Sequence, residues 1–236
     1  MFKTDKWNEE FREAYQHYFN APGIIALSHL TKDFLLNAGY SGYIAVQVNG
    51  IDTQKVNFQP KGNNKAICLG WIQPRKQQKL LAKIIDVDGK IAIDFVGPLD
   101  DLDFVEGTTT KHLGVWSLEQ VYSRLTDYSC LVLISEGEVA PLVVLEAMAA
   151  GLCIVVSESA SANLHHQEFI TILPDNILTD TTPEAHKIVP DTISEMIDKN
   201  QYYRPQILEY VRENFDCSRI IYHYNDIMHD FMNLHS

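Results

Sequence analysis

A chain of 236 residues, with 46% hydrophobic and 21% charged side chains, can bury a core large enough for one large domain or two small ones, which excludes a disordered polymer. Its formal charge of −12 argues against general binding to nucleic acid or anionic membranes, whose partners need a basic footprint. The longest apolar runs, residues 130–134 and 152–157, are too short to cross a bilayer, and the N-terminal residues lack the basic-then-apolar order of a secretory signal, so a cytoplasmic location is expected.

Short β-branched or apolar runs alternate with helical patterns along most of the chain, the signature of βα units and a largely parallel sheet. In chain order, the pattern predicts a helix over about 7–19, a strand at 23–28, a helix near 31–38 and a strand at 43–48. Residues 49–64 are polar and turn-rich and read as a linker. A strand follows at 65–70, then a helix after Pro74, a strand at 91–97, an irregular stretch over 100–114 and a helix from Ser117 to about Leu125. Next come a strand at 129–135, a helix from Pro141 to Ala150, a strand at 153–157, a short helix near 161–167 and a strand at 169–173. The tail reads as three helices, about 191–199, 205–213 and 218–232, the last with an apolar stripe suited to self-association.

Charge is unevenly distributed. Between Thr53 and Ile85 there is no Asp or Glu, yet Lys55, Lys61, Lys65, Arg75, Lys76, Lys79 and Lys83 all fall there. Such a run is either a solvated basic face or a place to hold a small anion. Cys68, Cys130, Cys153 and Cys217 form no CxxC pair and read as small buried hydrophobes in a reducing compartment. The acidic residues at 100–103, together with Asp86 and Asp88, read as solvated loop carboxylates, and His165, His166, His223 and His229 lack ligand spacing, so no metal site is expected.

The most informative stretch is Ser135 to Ser157, which reads as strand, loop, helix, turn and strand. Pro141 suits the first helical position, where its missing N–H costs nothing, and Gly151 suits the left-handed stop. Val139 and Ala140 offer no side-chain oxygen to the first turn, so the amides of Leu142 and Val143 and the positive helix end are left for an anionic ligand such as a phosphate. Glu146 sits in the middle of a helix that is apolar nearly all round, and a lone buried carboxylate is costly unless something satisfies it.

Glu138, seven intervening residues and Glu146, followed by Ala147-Met-Ala-Ala-Gly151 and a strand, resemble the E-x7-E motif of the family 4-like glycosyltransferases. The resemblance implies a GT-B fold: an α/β architecture with a Rossmann-like parallel sheet flanked by helices, here with a remnant of the N-terminal lobe. It also implies that Glu138 faces the donor sugar, that Ala140, Leu142 and Val143 hold sugar and diphosphate, and that Glu146 binds the ribose. Residues 67–81 resemble the first strand and helix of the family's donor domain, in which a Gly-Arg pair and a downstream Lys bind phosphates. Gly70 and Lys76 match that pattern, whereas Trp71 stands where the Arg is usual, so that contact is lost or passes to Arg75.

On this basis residues 1–52 are expected to be a remnant of the acceptor-side lobe, 53–64 a linker, 65–215 the nucleotide-sugar domain and 216–236 the crossing helix. Arg75, Lys76 and Glu138 are the expected catalytic residues, and Gly70, Trp71, Ala140, Leu142, Val143 and Glu146 the donor-binding ones. The implied reaction is retaining, metal- and cofactor-free transfer of a sugar from a nucleotide diphosphate sugar to a glycan, lipid or protein acceptor. A homo-oligomer or a partner chain completing the acceptor lobe is also expected. Two rival readings are a non-catalytic nucleotide-sugar-binding module and a two-carboxylate hydrolase.

Overall fold

The computed structural model describes residues 16–178 and 183–234, arranged around two parallel sheets. A short helix, α1 (Gln16–Phe19), precedes the smaller sheet, and the rest of the helix expected over 7–19 lies outside the described residues. Strands β1 (Gly23–Ala26) and β2 (Tyr43–Val46) pair in parallel through helix α2 (His29–Asn37), whose first turn is capped by the Ser28 hydroxyl accepting from the Thr31 amide at 3.1 Å. This unit has its own small core of Ala26, Phe34, Leu35, Ala38 and Tyr40.

The larger sheet holds six parallel strands: β3 (Lys65–Leu69), β4 (Ala92–Val96), β5 (Thr110–His112), β6 (Cys130–Leu133), β7 (Cys153–Ser157) and β8 (Ile170–Leu173). Their spatial order is β5-β4-β3-β6-β7-β8. Every residue of β6 and β7 is buried, as continuous apolar strands covered on both faces should be. The chain runs from β3 outward to β4 and β5, then returns to place β6 on the other side of β3. Strand β5, inside the stretch expected to be irregular, consists of Thr, Lys and His; only its pairing with Ile93–Phe95 makes it a strand.

Helix α3 (Gln78–Asp88) joins β3 to β4, α4 (Leu118–Arg124) precedes β6 with a Ser117–Gln120 capping box, and α5 (Leu142–Ala149) joins β6 to β7. Two corrections concern helices. The helix expected near 161–167 is replaced by a single 3-10 turn, Glu158–Ala160, and a turn in which Asn163 takes φ 67° and donates to the Leu27 carbonyl at 2.7 Å. The Ser161 hydroxyl also donates to the Glu158 carbonyl at 2.8 Å, a local bond of the kind by which serine competes with the helical backbone. The two helices expected over 191–199 and 205–213 are one, α6 (Pro183–Asn214), which runs through Pro190 and Pro205. Proline disfavours a helix interior, but Arg204, a residue of α6 beside Pro205, is completely buried and ties this part of the helix to carbonyls outside it.

The Arg204 guanidinium donates to the carbonyls of Gln59 (2.6 Å), Tyr128 (2.8 Å), Ala150 (3.1 Å) and Thr126, to the Thr126 hydroxyl and to the Asn200 amide oxygen. It therefore joins α6, the end of α5, the approach to β6 and the segment expected to be a linker. That segment is also tied down by hydrogen bonds from the Asn57 and Asn63 amides to the Tyr122 and Asp127 carbonyls.

Helix α7 (Cys217–Leu234) returns to the smaller sheet, where Phe231 packs on Tyr43 with ring centres 5.7 Å apart and the His223 ring bonds the Gln47 amide at 2.9 Å. Between α6 and α7, Ile51 pairs with Asp216 as a single parallel bridge. Among the described residues no helix is long and apolar enough to cross a membrane. Cys68, Cys130 and Cys153 are buried, but Cys217, at the start of α7, is exposed, because the helix turns that position outward.

Candidate functional site

The reversal of strand order falls between β3 and β6, so the loops leaving the carboxyl ends of those two neighbours diverge and leave a crevice between them. Residues 70–77 form one wall and residues 134–141 the other.

The first wall is set by close backbone approach. Gly70 has φ 138° and Gly97, at the end of β4, has φ 143°. A Cβ on Gly97 would lie 2.1 Å from the Gly70 carbonyl oxygen, so only glycine fits there. Gln78, buried at the start of α3, donates to the Trp71 carbonyl at 2.7 Å and accepts from the Gln73 amide at 3.2 Å. Those bonds fix the loop and leave the Trp71 indole 54% exposed at the rim. Pro74, Arg75 and Lys76 form a 3-10 turn that ends on Gln77 in the left-handed region at φ 55°, an uncommon conformation for a residue with a side chain.

The second wall is bonded to the first. The Glu136 amide donates to the Arg75 carbonyl at 2.9 Å, the Gln77 side chain donates to the Glu136 carboxylate, and the Arg75 guanidinium donates to the Gly137 carbonyl. Ser157 carries the β6–β7 pairing one step beyond the strands, since its hydroxyl donates to the Ser135 carbonyl at 2.6 Å and accepts from the Ser135 amide at 3.1 Å. This geometry brings the Glu138 carboxylate 3.3 Å from the Lys76 ammonium and 3.6 Å from the Arg75 guanidinium. Glu138 Oε1 is buried and has two cations beside it, but no aligned hydrogen bond. Its negative charge holds two basic groups at the mouth of the crevice.

Pro141 is the cap of α5 and not its first helical residue, with φ −69° and ψ 113°. The ring fixes φ alone, and the extended ψ lets the Pro141 carbonyl accept from the Val144 amide at 3.2 Å. No side chain caps this end, and among the described residues nothing accepts from the Leu142 and Val143 amides. The Ala140 carbonyl is taken by the Asn49 side chain at 2.9 Å. Gly151, at φ 87°, ends the helix with the Gly151 amide on Met148 and the Leu152 amide on Ala147, a Schellman closure.

Glu146 is half-buried one turn into α5, and burial alone raises its carboxyl above the ordinary range. It lies near Tyr122, whose phenol is raised first by burial and then by the Glu146 charge. The structure therefore gathers Gly70, Arg75, Lys76 and Glu138 into direct contact around one crevice. It sets Leu142 and Val143 at the start of the adjoining helix, and it leaves Glu146 outside the ionic cluster.

The basic stretch does not form one patch. Lys55, Lys65 and Lys79 pair with Asp52, Asp94 and Asp103, while Arg75 and Lys76 reach Glu138. Asp86 is not a solvated loop carboxylate either, because it accepts from the Thr109 amide and hydroxyl and the Thr110 hydroxyl and so ties α3 to the approach to β5. Burial raises its carboxyl, and these bonds outweigh that and lower it. Among the described residues no cluster of His, Cys, Asp or Glu is arranged to hold a metal ion. A cavity of about 790 Å³ between α3 and Asp101–Glu106 shares Pro74 and Gln77 with the first wall but is not lined by Arg75, Lys76 or Glu138. Asn49 and Gln78 shape the site without having drawn attention in the sequence. Only Gln78 carried a local signal, a polar side chain on the stripe of α3 that buries Leu81, Ala82 and Ile85.

Residues 51–165, which span both walls of the crevice, match the family Glycosyl transferases group 1. That stretch is similar to a glycosyltransferase group 1 domain. The fold of the chain is that of the GT-B glycosyltransferases, and 243 chains of solved structure match it. Sucrose-phosphate synthase from Thermosynechococcus elongatus superposes with a TM-score of 0.71 at 15% identity, covering 98% of this chain and 63% of its own. HepE from Anabaena, solved in complex with UDP and glucose, gives 0.70 at 16% identity, covering 94% and 67%. A variant of TarM from S. aureus, solved with UDP among its ligands, gives 0.72 at 14% identity, covering 94% and 46%. The chain thus spans roughly half to two-thirds of the length of these proteins. No curated protein sequence matches it.

Proposed function

We propose that this domain binds a nucleoside diphosphate sugar in the β3–β6 crevice and transfers the sugar to a glycan, lipid or protein acceptor. The observation that carries this reading is the convergence of Lys76 and Arg75 on Glu138 beside the unclaimed amides of Leu142 and Val143. An anion entering there meets two cations and a positive helix end at once. Breaking the bond between the anomeric carbon and the diphosphate oxygen sends the electron pair onto the diphosphate, and preorganised donors of this kind stabilise that growing charge without a metal. Glu138, released from its cations as they turn to the phosphates, accepts hydrogen bonds from the sugar hydroxyls. Glu146 accepts from the ribose, Gly70 admits the phosphates, and Trp71 offers an aromatic face to the base. Retention of anomeric configuration follows from the family resemblance.

The complexes of HepE and TarM with UDP make uridine the first nucleotide to try. The division into an acceptor-side unit at 1–52, a connector at 53–64, a donor domain at 65–215 and a crossing helix from 216 belongs to the same proposal. So do a partner or second copy that builds the acceptor side, as the similar GtfA/B complex suggests, and a cytoplasmic setting, which suits buried free cysteines. Calorimetry with UDP, GDP and ADP and their hexose conjugates tests the site. Lys76→Ala and Glu146→Ala should each weaken binding about tenfold or more, and unchanged affinity in both refutes the assignment. Donor binding without turnover, alone or with partner proteins, would make the domain a binding module, and glycan hydrolysis without a nucleotide sugar would make it a hydrolase.

A further inference from the structure

Glu138 is fixed to its loop by one backbone bond of its own: its amide donates to the Ser159 carbonyl at 2.8 Å. Ser159 lies in the 3-10 turn Glu158–Ala160 after β7, a single turn without a side-chain cap, so regular structure does little to aim its carbonyl. Asp175, at the first position after β8 and Pro174, supplies that constraint. Its carboxylate accepts from the Ser159 amide at 2.8 Å and from the Ser159 hydroxyl. The Asp175 amide in turn donates to the Glu158 carboxylate at 3.4 Å. The carboxyl ends of β6, β7 and β8 are thereby linked in sequence, with the Glu138 carboxylate at one end and Asp175 at the other. Asp175 is exposed and contributes nothing to the core, so its bonds to Ser159 serve the geometry of the turn and little else.

We propose that Asp175 is a positioning residue which, acting through Ser159, holds Glu138 where it engages the sugar and so sets how well the site distinguishes a nucleotide sugar from the bare nucleotide. This rests on the donor-site reading above. Lys76 is anchored through its backbone amide on the Gln73 carbonyl and the α5 amides by their helix, and on the donor-site reading Lys76 and Arg75 leave Glu138 for the phosphates once a nucleotide binds, so the effect falls on the sugar and spares the nucleotide.

The test compares wild type, Asp175→Ala, Asp175→Asn and Ser159→Ala. Hydrogen exchange at the Glu138 amide, followed by NMR, should quicken about tenfold in Asp175→Ala. It should stay near wild type in Asp175→Asn, which keeps an acceptor for the Ser159 amide, and in Ser159→Ala, which keeps that amide. Calorimetry with UDP against UDP-glucose, GDP against GDP-mannose and ADP against ADP-glucose should show nucleotide affinity unchanged in Asp175→Ala. For whichever pair binds wild type, the extra affinity from the sugar should fall about tenfold and return in Asp175→Asn. Unaltered exchange in Asp175→Ala, or faster exchange with the sugar's contribution intact, overturns the proposal. If no pair binds wild type, the donor-site reading fails and the role of Asp175 in sugar recognition falls with it, whereas the exchange measurement still shows whether Asp175 holds the loop.

Discussion

The two sheets of this protein solve the same problem at different scales. The six-stranded sheet has a continuous core from Ile51 to Phe215 and two strands in which every residue is buried. The β1–β2 unit has two strands and a separate core of five buried side chains, with Ile25, Leu27, Leu30 and Leu36 exposed around it. A parallel pair of this size is not expected to be stable by itself. It leans on α7 and on the junction at Ile51 and Asp216. The proposed donor crevice therefore belongs to the unit with the larger core, and the smaller one is positioned through a few identifiable contacts.

Arg204→Met should disrupt the larger unit most, because it leaves the Thr126, Tyr128 and Ala150 carbonyls buried without their donor. A loss on the order of 3–5 kcal/mol is expected in urea unfolding monitored by circular dichroism. Burial lowers the Arg204 pKa only to about 10, so the charge is present throughout the neutral range and the loss should not depend on pH between 5 and 8.

Glu146→Gln separates stability from binding within the larger unit. A carboxyl whose folded pKa is raised by burial costs stability above that pKa and costs nothing below its unfolded value, so the variant should melt higher at pH 7 and lose that advantage as the pH falls toward 4. The same change should weaken nucleotide binding about tenfold, through the lost charged acceptor. A variant that melts no higher at pH 7 would show that Glu146 is already satisfied in the unliganded protein.

Asp216→Ala tests the junction, with the smallest effect. Burial raises this carboxyl, but bonds from Ser218 and Thr53 outweigh that and hold it at about 2. A depressed carboxyl contributes stability that is complete above its unfolded pKa of about 4 and is lost as the pH falls through about 2. The variant should cost about 1 kcal/mol at pH 7, the value of a helix cap, and almost nothing near pH 2. Hydrogen exchange should quicken in β1 and β2 while β6 and β7 keep their protection; equal loss of protection in both sheets would mean that they open as one unit.

The residues from Ser135 to Ser157 determined a great deal by themselves. Proline beside the helix start, glycine in the left-handed stop, an uncapped first turn and two glutamates at fixed spacing are local facts, each with a local physical cause, and they survive folding nearly unchanged. Strand β5, the unbroken α6 through Pro190 and Pro205, and the exposure of Cys217 were decided by partners distant in sequence. The crevice itself is tertiary. It exists because β6 returns to the far side of β3, which sets Lys76 against Glu138 across 62 residues of chain. Sequence periodicity carries which residues a strand or helix buries, but the order in which strands lie side by side is settled only when the whole core closes.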